Sequence, residues 1–166
     1  MATTVESLAA ECRRILSADP GPAGRRQVSA AIEAVLKDHD FVARTLTDDL
    51  PERKVLYEDP DLGFCILGHN YKGAKASHPH DHGPSWAIYG QAAGETLMDD
   101  FALIEAAAPD RAGKVRHTRR YKLTPGMAYV YDEGDLHAPT REGPTKLLRV
   151  EGTNMDRVKR LAYEAV

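Results

Sequence analysis

Histidine is the residue type here whose spacing points to chemistry. The chain has seven, and three of them fall in the run His78-Pro79-His80-Asp81-His82. Pro79 cannot sit inside a helix, and it steers His78 away from the α region. In an extended run alternate side chains point the same way. His78, His80 and His82 then share one side, with Pro79 and Asp81 on the other. Two imidazoles at i and i+2 can reach one metal ion. Imidazole suits iron, zinc, copper and nickel, so the residue type alone does not choose among them. The same cluster also fits a solvated tract that binds metals weakly.

Other residues could line a pocket beside such a centre. Trp86 and Ile88 share one side of the chain that follows, and Tyr89 takes the opposite side. Tyr71, Tyr129 and Tyr131 carry hydroxyls that need partners if buried. Late in the chain, residues 147, 149 and 151 of the run Lys146 to Glu151 share a face. The expectation is that this face meets solvent while Leu148 and Val150 enter the core. The alternative puts Arg149 inside, paired with Glu151 or an anion. Lys114, Arg116, Arg119, Arg120 and Lys122 form a basic strand that reads as a solvated face, and Cys65 reads as core filler.

These residues must be positioned by one ordinary domain. The 166 residues suit a single fold, and 42% hydrophobic against 28% charged residues is enough apolar surface for a core. A net charge of −3 argues against a nucleic-acid footprint over the whole domain. No apolar run is long enough to span a membrane, and no basic-then-apolar leader opens the sequence, so a cytoplasmic location is expected. Two cysteines, Cys12 and Cys65, exclude a disulfide framework.

The first 50 residues read as helices. Thr3 and Glu6 have capping-box spacing, with Val5, Leu8, Cys12, Ile15 and Leu16 at helical intervals behind them. Asp19-Pro20-Gly21-Pro22 stops that helix. A second follows through Val28, Ile32 and Leu36, and a short third runs from Phe41 to Leu46. From Arg53 to Glu151 the pattern is short strands with turn punctuation, among them Phe64–Gly68, Ser85–Tyr89, Glu95–Phe101, Val115–Leu123, Met127–Tyr131 and Lys146–Glu151. Gly90 to Gly94 reads as a turn. A final helix over 154–164 is expected, capped by Asn154. The sum is a mainly β sandwich or small barrel with helices at the two ends.

Residues 53–151 resemble the cupin superfamily. Its first motif runs from a glycine through a His-x-His pair and a glutamate to a closing glycine. Placing His80 and His82 on the pair puts Gly94 on that closing glycine, whereas His78 and His80 would put Ala92 there. The second motif has counterparts at Gly126, Gly134 and His137. The sequence departs from the motifs at Ala74, Ala87, Asp132 and Arg141, which stand for a glycine, the glutamate, a proline and an asparagine. The resemblance implies a cupin barrel (a double-stranded β-helix, or jelly roll) in a single domain. It also implies a metal held by His80, His82 and His137 with no carboxylate ligand. His78 becomes a neighbour that could support a ligand ring.

Among cupins the pattern is similar to the cysteine and 3-mercaptopropionate (thiol) dioxygenases. That branch uses three histidines, often reads His-Asp-His, and carries helices before the barrel. The resemblance implies iron(II) as cofactor, with zinc, nickel or manganese as metals the purified protein could carry. It implies O2 and a small anionic substrate as partners, and allows a homodimer. Both oxygen atoms would pass to sulfur. By the same resemblance Arg53 would bind the substrate carboxylate. Read from the residues themselves, Tyr71 is a candidate catalytic hydroxyl and Trp86, Tyr129 and Arg149 are candidate pocket residues, with core packing the alternative for Trp86 and Tyr129. The late strand lacks that branch's Ser-x-His-x-Tyr run, and Ala87 excludes its cysteine cross-link. Two other readings therefore stand: oxygenation of a β-diketone-like enolate, and a metal- or ligand-binding cupin without turnover.

Overall fold

The structure is a computed structural model that describes residues 2–166. Three helices come first: α1 (Val5–Ala18), α2 (Pro22–Leu36) and α3 (His39–Thr45). The capping box of α1 lies one residue later than its spacing suggested. Thr4 accepts from the Ser7 amide, and the Ser7 hydroxyl receives the Thr4 amide in return. A serine serves here where the expected pattern has a glutamate, because its short side chain reaches back over one turn. Pro22 opens α2, where its missing N–H costs no hydrogen bond. Asp38 caps α3 by accepting from the Phe41 amide.

The strands are β1 (Lys54–Glu58), β2 (Cys65–Tyr71), β3 (Lys75–Ala76), β4 (Ala87–Ala93), β5 (Thr96–Glu105), β6 (Gly113–Leu123), β7 (Ala128–Tyr131), β8 (Leu136–Arg141), β9 (Thr145–Glu151) and β10 (Tyr163–Ala165). They form two five-stranded sheets, β1-β2-β9-β4-β7 and β10-β6-β5-β8-β3. Strands distant in sequence pair across the barrel, β4 with β7 and β9, and β5 with β8. This is the double-stranded β-helix that the resemblance implied, in a mainly β fold with three helices.

Three elements differ from the sequence expectation. β4 continues through Gly90, and the turn waits until Gly94, whose φ of +69° suits glycine. Gly90 is needed for close approach instead. A Cβ there would lie 2.6 Å from Ile32 Cγ2 and 2.7 Å from the Leu148 carbonyl, so α2 could not settle on the sheet. β8 contains Pro139, which argues against a strand when read alone. It forms because its neighbour β5 pairs with it from Leu136 to Thr140. The expected helix over 154–164 is absent. Asn154 caps a single 3-10 turn at Met155–Arg157, and β10 then pairs parallel to the β6 edge. That edge offers unpaired backbone groups, and Leu161, on the side a helix would bury, is 39% exposed.

The core has two compartments. Ile66, Ile88, Leu148 and Val150 point outward from the first sheet and pack against Leu8, Cys12, Val28, Ile32, Leu36 and Phe41 of the helices. Each such side chain contributes roughly 1.5–3 kcal/mol by leaving water. Ala87, Tyr89, Met98, Leu123 and Tyr131 fill the barrel interior. β2 and β9 are therefore buried on both faces. This overturns the expectation for β9: Leu148 and Val150 do enter a core, but Arg149 and Glu151 face the barrel interior and not solvent. The helices cover the face that would otherwise be wet.

Arg25 fastens α2 to the β7–β8 turn through Asp132 at 2.8 Å and Glu133 at 2.6 Å. Asp132, which replaces the motif's proline, thus has a structural partner. Two basic residues of β6 are paired along the surface, Arg119 with Asp100 at 2.7 Å and Arg120 with Asp99 at 2.8 Å. Among the described residues no helix is long and apolar enough to cross a membrane.

Candidate metal centre

The histidine run is extended but joins the barrel at one residue pair. His80 and His137 exchange both backbone hydrogen bonds, each 2.9 Å long, which seats their side chains next to each other. His82 follows two residues on. Asp81 turns away, its carboxylate accepting from the Gly83 amide at 3.0 Å. The result is a close group of three rings. Their potential ligand atoms all lie within 4.8 Å of one another. His82 Nε2 and His137 Nε2 are 3.3 Å apart.

For two of the rings the backbone fixes which nitrogen is free. His80 Nδ1 lies 2.9 Å from the His78 carbonyl, and His137 Nδ1 lies 2.8 Å from the Asp135 carbonyl. Each carbonyl accepts an N–H, which leaves Nε2 unprotonated and free to bind a metal. His78 thus supports a ligand ring through its backbone, where the sequence suggested its ring. Ala87, at the motif's glutamate position, is fully buried, and the group of candidate ligands contains no carboxylate among the described residues.

Burial holds all three histidines neutral. It pulls the His80 pKa down to about 4 and those of His82 and His137 well below their usual value. Neutral, convergent imidazoles fit a divalent metal ion that suits nitrogen donors. They also give the metal-free protein an acid limit. These folded-state pKa values are depressed, while the unfolded chain takes up protons below about pH 6.5. The stability they allow is complete above that pH and is lost as the pH falls toward 4. Urea midpoints of metal-stripped protein should fall steadily from pH 7 to pH 5. A flat profile over that interval would contradict the assignment of neutral, buried rings.

Tyr89 is the residue that sequence reasoning missed. Its hydroxyl lies 3.2 Å from both His82 Nε2 and His137 Nε2. The signal was available, since alternation put Tyr89 opposite Trp86, but nothing in the sequence told which side was interior. Tyr131 stacks on His137 with ring centroids 4.0 Å apart. Tyr129 touches Tyr131 and Tyr121 and lies away from the histidines. Trp86 packs in the helix-side core with Arg25 over its ring at 5.3 Å, outside the barrel interior.

A cavity of about 780 Å³ adjoins the group, with His80, Tyr71, Tyr89, Arg53, Arg141 and Arg149 on its wall. That volume is in the range of small-molecule sites. Arg53 Nη2 donates to Glu151 at 3.0 Å, and Arg53 Nη1 reaches Asp156 at 3.3 Å. Arg149 Nη1 donates to the other Glu151 oxygen at 3.4 Å, with its guanidinium 4.1 Å over the Tyr89 ring. The Tyr71 hydroxyl lies 3.3 Å from His69 Nδ1. Arg141, noticed in the sequence only for departing from a motif, covers the Tyr71 ring at 4.2 Å.

Comparison with known proteins adds the fold. No family model matches the chain, and no curated protein matches it. Many solved structures do. A Bacillus halodurans protein is 12% identical over 81% of this chain and 86% of its own, with a TM-score of 0.51. A Klebsiella pneumoniae protein described by its double-stranded β-helix domain is 14% identical over 74% of this chain and 95% of its own, at 0.47. A cupin superfamily protein from Desulfitobacterium hafniense is 12% identical over 65% and 82%, at 0.43.

Proposed function

We propose that the chain is a non-haem iron(II) dioxygenase that acts on a small anionic substrate, with thiol carboxylates as the leading class. One observation carries this reading: three neutral imidazoles converge without a carboxylate, and one of them, His80, opens onto a cavity walled by arginines. A neutral ligand set leaves a divalent ion its full charge, so an anionic donor from the substrate is favoured there. Bound iron(II) would supply the activation of O2 and the transfer of both its oxygen atoms to sulfur.

The protein's own groups have definable tasks. The Tyr89 hydroxyl faces the histidine nitrogens, and burial raises its pKa, so it stays protonated and can donate a hydrogen bond at the reacting end of the substrate. Tyr131 stacked on His137, and the carbonyls behind His80 and His137, hold the rings in place. The cationic wall draws in and orients an acid.

The test is O2 uptake by anaerobically iron-loaded protein. Uptake with 3-mercaptopropionate or cysteine, and sulfinate as product, is the expected result. No uptake across a panel of small thiol acids sinks the thiol version. Uptake with enolisable diketones alone would favour the carbon-substrate reading, which the presence of Arg149 and Glu151 on β9 in place of the branch's usual run motivates.

A further inference from the structure

We infer that residues 158–166 form a strap that walls the cavity on its outer side and whose docking is coupled to the histidine run that holds the metal. The inference rests on His80, His82 and His137 holding a metal ion, and not on what that ion does. The barrel supplies the inner part of the cavity wall, and Arg160 to Glu164 supply part of the outer one. The strap follows the 3-10 turn at Met155–Arg157, which is fixed to the barrel by Arg53 with Asp156 at 3.3 Å and by Arg157 with Glu58 at 3.2 Å. From Val158 to Ala162 the chain has neither helix nor strand, and β10 then lies along the β6 edge.

The side chains of the strap show what it is docked on. Of residues 158–166, only Val158 and Tyr163 are half-buried, and the others are exposed. Both of these reach the histidine run. Val158 lies over Gly83, where an added Cβ would be 3.4 Å from Val158 Cγ1. The Tyr163 hydroxyl lies 3.5 Å from Asp81 Oδ2, and the other oxygen of that carboxylate accepts from the Gly83 amide. The two contacts thus flank His82. Gly113 leaves the seat for the Tyr163 ring, since a Cβ there would be 2.8 Å from Tyr163 Cδ1. A strand that merely covered the β6 edge would need no contact with Asp81 or Gly83.

The hold of the strap on the barrel is slight. β10 pairs with β6 over three residues. The Ala162 carbonyl accepts from the Gly113 amide, and the Val166 amide donates to the Val115 carbonyl, each at 2.9 Å. Short segments with few buried side chains open more readily than core strands, and the moving walls of ligand sites are drawn from them. A metal ion that draws His80 and His82 toward His137 fixes the run on which Val158 and Tyr163 rest. The docked strap must then favour metal binding by the same factor as metal favours docking.

A cross-link tests the coupling from one side. Lys114 and Glu164 are register partners on adjacent strands, and a strand spacing of about 4.8 Å suits a disulfide. Cys12 and Cys65 are buried, so Lys114→Cys with Glu164→Cys adds the pair that oxidises. Zinc affinity is read by competition with a chromogenic chelator. The oxidised double variant should bind zinc at least about fivefold more tightly than the same variant reduced and alkylated, the low end of coupling between linked sites. Tyr163→Ala should bind it more weakly than wild type. Equal affinities in the oxidised and alkylated forms overturn the inference. Hydrogen exchange on the wild-type protein tests the other side. Zinc should slow exchange at the Val166 amide relative to Ile66 of β2, and an unchanged ratio overturns the coupling. If wild type takes up no zinc, the metal centre and the coupling fall together; if it takes up zinc and Val166 exchange is unaltered, the coupling falls alone.

Discussion

Replacing His137 with alanine should leave the folded protein unable to hold its metal. His137 is fully buried and offers one of three potential ligand atoms clustered within 4.8 Å. Losing a group that merely supports a ligand commonly weakens metal binding about 10- to 100-fold, so losing the ligand itself should exceed that. Metal per chain, measured by elemental analysis on the monodisperse fraction after dialysis, should fall to near zero. His80→Ala and His82→Ala should behave the same way. His78→Ala is the sharp contrast. Its contribution to His80 is a carbonyl, which the substitution keeps, so H78A should retain metal. A result in which H78A loses metal and H80A keeps it would reverse the motif register.

The second large effect concerns the carboxylate behind two arginines of the cavity wall. Glu151→Ala should destabilise the protein by about 3–5 kcal/mol, the range for removing one partner of a buried ion pair. Glu151 is fully buried, and its two oxygens join Arg53, Arg149 and the turn that follows β9. Without it, Arg149 keeps its charge inside the barrel with no acidic group against it. For a chain of this length each kcal/mol corresponds to about 2–4 °C, so a drop on the order of 10 °C is expected in a thermal melt. The double variant Arg149→Met, Glu151→Met should recover much of the loss, since it removes both charges together. A single E151A variant within about 1 kcal/mol of wild type would mean that the carboxylate does not hold this wall.

Several elements follow from local rules alone. The helices α1 to α3 follow from apolar residues at helical spacing and from prolines at Pro20 and Pro22 that cannot continue a helix. Most strands follow from period-2 alternation between turns. The register of the histidines follows from Gly94 standing at the right distance from His82. Where local signals conflicted, the sequence misled. Pro139 concealed β8, and Asn154 with its apolar followers suggested a helix where the β6 edge captured a strand instead.

What the sequence by itself determined is which side chains share a face; what the tertiary structure decided is what each face looks at. Alternation placed Tyr89 opposite Trp86, and Arg149 opposite Leu148 and Val150, without telling inside from outside. That depended on α1 to α3 folding over the first sheet, which turned Trp86 and Leu148 toward the helices and Tyr89 and Arg149 toward the barrel interior. His137 joins His82 across 55 residues, and Arg141 reaches the cavity only because β8 pairs with β5. Side-chain direction along a strand is set by backbone geometry within a few residues. Which surface then becomes an interior depends on which other surfaces pack against it, and that is a property of the whole chain.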